Sequence, residues 1–266
     1  LTAVATAAGS LNPTLAAGSV GDPAGNTTAS TAAPASVVYY LPHYASCELW
    51  FRADSLSLAD GANVNTWDDQ CPLGLDVAFF GSAPTYVASA TNSQPAVRFS
   101  GGSMASTGNS TMTGSPAWTL FAVAKINATT DANAAFLWLG DNVVNGQSLL
   151  FGINNNDFKF MMGYYDGGRL TPDVQAGYTQ ITHIREAGAF SQVEYDTFLN
   201  GTSYGTDPAR LHFAVNLQPG KVRLGEGANG RKIYGDLLEI ILVNGIQMGN
   251  TNRTLIENYL LNKYGL

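Results

Sequence analysis

From Cys47 to Arg52 the chain alternates: Cys47, Leu49 and Phe51 point one way, and Glu48, Trp50 and Arg52 the other. That is the period of a half-buried strand. An Asp60-Gly61 turn follows, then a second short strand, Val64–Trp67, that ends in Asp68 and Asp69. Further strands are predicted at Asp76–Phe80, Thr85–Val87, Ala96–Phe99, Ala135–Gly140, Leu149–Ile153, Phe158–Tyr164, Gln180–Glu186, Ser191–Asn200, Leu211–Leu217 and Lys221–Leu224. Two runs are nearly continuous in apolar residues. Trp118–Ile126 reads as a strand buried on both faces, and Ile233–Val243 as a strand in the interior of a sheet.

Turn chemistry punctuates these runs. Asn145-Gly146, Asn200-Gly201, Asn229-Gly230 and Asn244-Gly245 are hairpin or strand-end signals. Ser100–Ser115, rich in Gly, Ser and Thr, reads as a long loop. At the C-terminus Ile256, Tyr259, Leu260 and Tyr264 form one stripe at helical spacing. Asn250 or Thr251 is the expected N-cap and Gly265 the C-terminal cap, with the helix covering one end of the domain. Many short strands with turn signals between them predict an all-β antiparallel sandwich of jelly-roll type.

Composition changes this picture at the N-terminus. Residues 1–36 hold eleven alanines and a single charge, Asp22, with no lasting period. Such a segment cannot bury enough surface to fold alone. We expect 1–44 to be a low-complexity extended arm and 45–266 the sandwich domain. Leu11, Leu15 and Val20 are the residues expected to dock the arm on a neighbouring subunit; the alternative is a plain linker. The first residue is Leu, which suggests a processed chain, and Leu1–Ser10 has neither the basic start nor the apolar core of a secretory signal.

Charge excludes some partners. Charged residues make up 12% of the 266, about half the usual share. The net charge is −7 with 13 Lys plus Arg. This argues against nucleic acid and anionic membrane as partners, which need a basic patch. No apolar run approaches the ~18 residues of a membrane span. The two cysteines, Cys47 and Cys71, are either two free thiols or a bridge from the first strand to the loop after Trp67. Five N-x-Ser/Thr sequons stand at Asn26, Asn109, Asn127, Asn200 and Asn252. About three are expected by chance in a chain this rich in Asn, Ser and Thr.

The stretch LWFRADSLSLADGANVNTWDDQ resembles the opening of laminin-G-like, concanavalin-type jelly-roll domains. Pro84-Thr85-Tyr86, Pro95-Ala96-Val97-Arg98-Phe99, WTLFAVAKI and FLNGT are similar to that family's later strands and hairpin. GDLLEIILVNG and IENYLLNKYGL are similar to its close. The likeness covers about residues 47–266, is strong at both ends, and matches only in strand rhythm over about 130–195. Cys71-Pro72-Leu73-Gly74 departs from the family's loop. The resemblance implies a fold, on which members bind glycans, bind proteins or build surfaces.

Candidate chemistry is sparse. Gly201-Thr202-Ser203-Tyr204-Gly205 matches G-x-S-x-G, but a nucleophile elbow needs a following helix, and here a strand is expected. Glu194 and Asp196 fall in part of the E-x-D-x-x-E pattern of jelly-roll β-glucanases, with Leu199 where the third carboxylate belongs. His43, His183 and His212 lack metal-ligand spacing. Asp68, Asp69 and Asp76 are candidate calcium ligands; no other cofactor is implied. Tyr164, Tyr165, Asp166 and Arg169 combine flat rings, hydrogen-bonding groups and glycines, the chemistry of a sugar site. The expectation is therefore a non-enzymatic structural or adhesive module of an extracellular or virion-surface assembly, with protein subunits as partners. A lectin-like module is the first alternative and a glycosidase the second.

Overall fold

The structure is a computed structural model that describes residues 10–11, 37–38, 41–127, 134–140, 146–153, 160–164, 177–185, 193–209, 216–227 and 230–266. At 10–11, 37–38, 160–164, 193–195 and 205–209 the backbone path alone is described. The chain divides into two compact units, Leu1–Tyr44 and Ala45–Leu266. In the first, β1 (Ser10–Leu11) pairs antiparallel with β2 (Val37–Val38), with Leu11 opposite Val37. Of the three residues expected to dock an arm, Leu11 thus has a ladder partner in its own unit. Leu15 and Val20 lie outside the described residues.

The second unit is an all-β sandwich of two antiparallel sheets with one C-terminal helix. One sheet runs in the order β12 (Phe160–Tyr164), β11 (Leu149–Ile153), β10 (Ala135–Leu139), β16 (Lys221–Leu224), β8 (Ser103–Asn109), β5 (Val77–Phe80), β4 (Thr66–Trp67). The other runs β15 (Thr202–Ala209), β14 (Val193–Leu199), β13 (Thr179–Arg185), β9 (Trp118–Ile126), β17 (Tyr234–Asn244), β7 (Gln94–Ser100), β6 (Thr85–Thr91), with β3 (Cys47–Arg52) also paired to β17. β9 and β17 are the spine of this second sheet and share the longest ladder, from Gly235–Ile126 to Asn244–Trp118. The apolar runs of the sequence fall there because both faces are covered. One core cluster between the sheets holds Leu120, Ala122, Ala124, Leu237, Ile240 and Leu242.

Four expectations need correction. The first is β3. Alternation predicts one wet face, yet Glu48 and Trp50 are both 2% exposed, because other elements bury the second face as well. The second is the segment 100–115. Small polar residues read as a loop, but Ser103–Asn109 is a strand held between β5 and β16, where sheet pairing overrides weak intrinsic preference. Ser106 shows how a small polar residue suits that place: its buried hydroxyl accepts a hydrogen bond from the Val222 amide of β16 at 2.9 Å.

The third is the helix, α1 (Asn250–Tyr264). Its N-cap is Gly249, with extended backbone and no side-chain cap bond, so Asn250 and Thr251 lie inside the helix. It does not cap an end of the sandwich. Tyr259 and Tyr264 reach Glu239, whose neighbours Ile240 and Leu242 face the core, so the helix lies on the outer face of the larger sheet. Gly265 ends it in the left-handed region, φ 67°, as its position predicts. The fourth is Val64–Trp67, where strand geometry is confined to Thr66–Trp67. Of Leu211–Leu217, residues 211–215 lie outside the described set, and Leu217 forms an isolated bridge to Gly114.

Cys47 and Cys71 form a disulfide, with Cα atoms 5.6 Å apart. It ties the first residue of β3 to the loop after β4. The Asp69 carboxylate organises the same loop, accepting hydrogen bonds from the backbone amides of Trp50 (2.7 Å), Leu75 (2.9 Å) and Cys71 (3.1 Å).

Candidate functional site

The outer face of the larger sheet is built from side chains that alternate with the core. On β17 the residues before and after Leu238 are out of step, because the ladder slips between Leu237 and Glu239. This β-bulge lets Asp236 and Glu239, three apart, both point away from the core. Two acids inside the most apolar strand then sit on one face, each with its own set of partners.

Glu239 is fully buried beneath the helix. It accepts hydrogen bonds from Trp50 Nε1 (2.6 Å), the Tyr264 hydroxyl (2.8 Å), the Tyr259 hydroxyl (3.1 Å) and Lys263 Nζ (2.8 Å). Burial, and then the Glu239 charge, push both tyrosine hydroxyls well above their ordinary pKa, so they stay protonated and donate. Glu48 is a second buried carboxylate, bonded to the Ser110 and Thr111 hydroxyls, the Thr111 amide and Asn244 Nδ2. Both carboxylates are ringed by donors and shielded from solvent. That arrangement fastens elements together and encloses both carboxylates.

Asp236 heads a different arrangement. Arg98 of β7 holds it with two bonds, Nε to Oδ1 at 2.7 Å and Nη2 to Oδ2 at 2.9 Å. The Tyr178 hydroxyl donates to Oδ2 at 2.7 Å. Lys125 of β9 stands beside Asp236 in the ladder, with its ammonium 5.6 Å from the centre of the Tyr178 ring. Tyr234 is two residues along β17 on the same face, opposite exposed Ser100. The Asp236 side chain is buried, whereas that of Arg98 is 46% exposed; Lys125, Tyr178 and Tyr234 are half-buried. The hydrogen bond to Asp236 holds Arg98 charged. Burial, reinforced by the same carboxylate, pushes the Tyr178 hydroxyl up, so it remains a donor. The Tyr178 ring beside Lys125 and a fixed, half-exposed ion pair make a shelf that can receive a polar ligand with a flat face.

The residues expected from sequence fall elsewhere. Tyr164 is the last residue of β12, and Tyr165, Asp166 and Arg169 lie outside the described residues. Asp196 is on β14 opposite Ile184 and Thr206, with Glu194 two positions before it. Leu199 is packed in the core, so no carboxylate completes that pattern. Gly201 lies in the turn after β14, and Thr202–Gly205 runs on as strand β15, which rules out an elbow at Ser203. His183 is fully buried and its Nδ1 pairs with the Thr197 hydroxyl at 2.9 Å; His43 is exposed, and His212 lies outside the described residues.

Asp69 and Asp76 do not present bare oxygens together. Asp76 Oδ1 accepts the Asp69 amide at 2.8 Å, and the Asp69 carboxylate holds three further amides. Among the described residues no group of three or more His, Cys, Asp or Glu side chains converges as a metal site.

Sequence reasoning missed the shelf. The available signal was Asp236 and Glu239 within GDLLEIILV, since a carboxylate in so apolar a strand needs a buried partner.

No protein-family model and no curated protein matches the chain. Solved structures do. An arabinofuranosidase complexed with arabinofuranosyl-α-1,2-xylobiose matches with a TM-score of 0.57 at 14% identity, over 76% of this chain and 51% of that one. The binding domain of Paraclostridial Mosquitocidal Protein 1 matches at 0.57 and 10% identity, over 84% and 56%. A botulinum neurotoxin type C structure, described as interacting with two ganglioside molecules, matches at 0.55 and 12% identity, over 82% and 52%. The likeness is one of fold. This chain spans about half the length of these structures.

Proposed function

We propose that the chain is a non-catalytic glycan-binding module of the laminin-G-like, concanavalin-type kind, acting as an adhesive part of an extracellular or virion-surface assembly. The observation that carries this reading is the shelf of Tyr178, Lys125 and Arg98 around Asp236. Rings stack on the apolar faces of sugars, while the exposed side of Arg98, held in place by Asp236, donates to ligand oxygens. The comparisons add support of a weaker kind, because the names of similarly folded structures include a ganglioside-interacting toxin and an arabinofuranosidase with its oligosaccharide. The disulfide favours maturation in an oxidising compartment. No described helix is long and apolar enough to cross a membrane.

The non-enzymatic part rests on the buried carboxylates. Glu48 and Glu239 are enclosed by donors, and Leu199 stands where a third acid would complete the Glu194, Asp196 pattern. Screening the protein on a glycan array, with Tyr178→Ala alongside, tests the reading. Binding that Tyr178→Ala reduces roughly tenfold is the expected result. An array without a hit, or hits that the variant leaves intact, defeats it. The arm of residues 1–44 is proposed to contact neighbouring subunits, which deletion and sizing of the assembly would check.

A further inference from the structure

We infer that the ligand of this shelf is an anionic saccharide, carrying carboxylate or sulfate groups, rather than a neutral one; the inference rests on the glycan-binding reading above. The shelf holds two cations, Arg98 and Lys125, and one described carboxylate, Asp236. Asp236 is 3% exposed, and its oxygens already accept from Arg98 Nε, Arg98 Nη2 and the Tyr178 hydroxyl. It is therefore closed to ligand hydroxyls. What remains is the exposed side of the Arg98 guanidinium and the half-buried Lys125, whose ammonium lies over the Tyr178 ring. Among the described residues no carboxylate lies within ion-pair distance of Lys125.

Among the described residues the charge of the shelf is thus net positive, in a chain whose net charge is −7 with only 13 Lys plus Arg. Neutral sugars present hydroxyls that need acceptors as well as donors. A carboxylate or sulfate presents acceptors alone, which matches what the shelf offers. The ring of Tyr178 would hold the pyranose or furanose body while the two cations take the acid group.

The test uses the full chain and calorimetric titration with three probes: oligogalacturonides, chondroitin sulfate oligosaccharides and neutral xylo-oligosaccharides. Arg98 is a poor first variant, since losing it strands the buried Asp236 charge. Lys125 makes no such bond, so Lys125→Gln and Lys125→Glu are used, with circular dichroism to confirm folding. At least one acidic probe is expected to bind in preference to the neutral one, and more weakly as salt rises. Lys125→Gln should weaken it roughly threefold and Lys125→Glu tenfold or more. Preference for the carboxylate or the sulfate probe then says which acid group is read. Equal affinity for the neutral probe overturns the charge inference and leaves the glycan reading standing. Acidic binding indifferent to Lys125→Glu places the site elsewhere and overturns the assignment to this shelf. No binding to any probe, together with an empty glycan array, overturns both.

Discussion

At the residue scale, the outcome turns on how single polar groups are sheltered. Glu239 is buried at 0% exposure with four donating side chains around it. Glu239→Gln removes one of the two carboxylates that Lys263 pairs with, Asp54 being the other, and turns two acceptors into one, so it should destabilise the domain by about 3–5 kcal/mol in urea unfolding. A loss under about 1 kcal/mol would show that the network is dispensable. His183 gives a prediction in pH. Burial lowers its pKa from 6.5 to about 3, so the folded state keeps the ring neutral. As pH falls below 6.5 the unfolded chain takes up the proton first, and the folded state loses stability down to about pH 3, by up to about 1.4 kcal/mol per pH unit. Comparing the acid unfolding profiles of the wild type and His183→Gln checks this, since the variant should lack that slope. Tyr259 and Tyr264 act at the other extreme. Their raised pKa values mean that stability is intact below about pH 10 and falls above it, as the unfolded chain ionises first. Their phenolate absorbance at alkaline pH should emerge only with unfolding.

At the element scale, α1 and the disulfide are the two fasteners of the larger sheet. The helix buries Ile256, Glu257, Tyr259, Leu260 and Tyr264, and Arg253 adds a cation–π contact 3.8 Å from the Phe198 ring centre. Leu260 is fully buried, so Leu260→Ala should cost about 2–5 kcal/mol. A cost below about 0.5 kcal/mol would mean that the helix is peripheral to stability. The disulfide closes a loop with a sequence separation of 24. Reduction should therefore lower stability by about 3 kcal/mol in the chain-entropy account, and intact mass should rise by the two hydrogens taken up. An unchanged mass on reduction would mean that the two thiols are free in solution. Helix stripe, C-terminal glycine and spine strands were legible because each is local: a period of 3.6, a left-handed cap, an unbroken apolar run. The β8 strand was not, because Ser103, Ser106 and Gly108 have no local preference for it; β5 and β16 on either side create it.

At the scale of the whole molecule, the two units separate at Tyr44 and Ala45, and the sandwich unit carries its own core and its own disulfide. A chain beginning at Ala45 should therefore unfold in one cooperative transition with a midpoint within a few degrees of the full chain; a drop of ten degrees or more would show that the first unit supports the sandwich. The sequence by itself determined the all-β class, the place of most strands, the turn glycines and the closing helix, since short-range periodicity and backbone preference dictate them. It also marked the two cysteines and the two acids of GDLLEIILV without saying what they meet. Only the tertiary structure decided that both faces of β3 are dry, that the helix lies on a sheet face, and that Arg98, Lys125, Tyr178 and Asp236 share one shelf. Those four residues come from three strands and a connection far apart in the chain, and a single bulge at Leu238 sets which way Asp236 points. Register between distant strands is a property of the packed sheet, and no local pattern in the sequence encodes it.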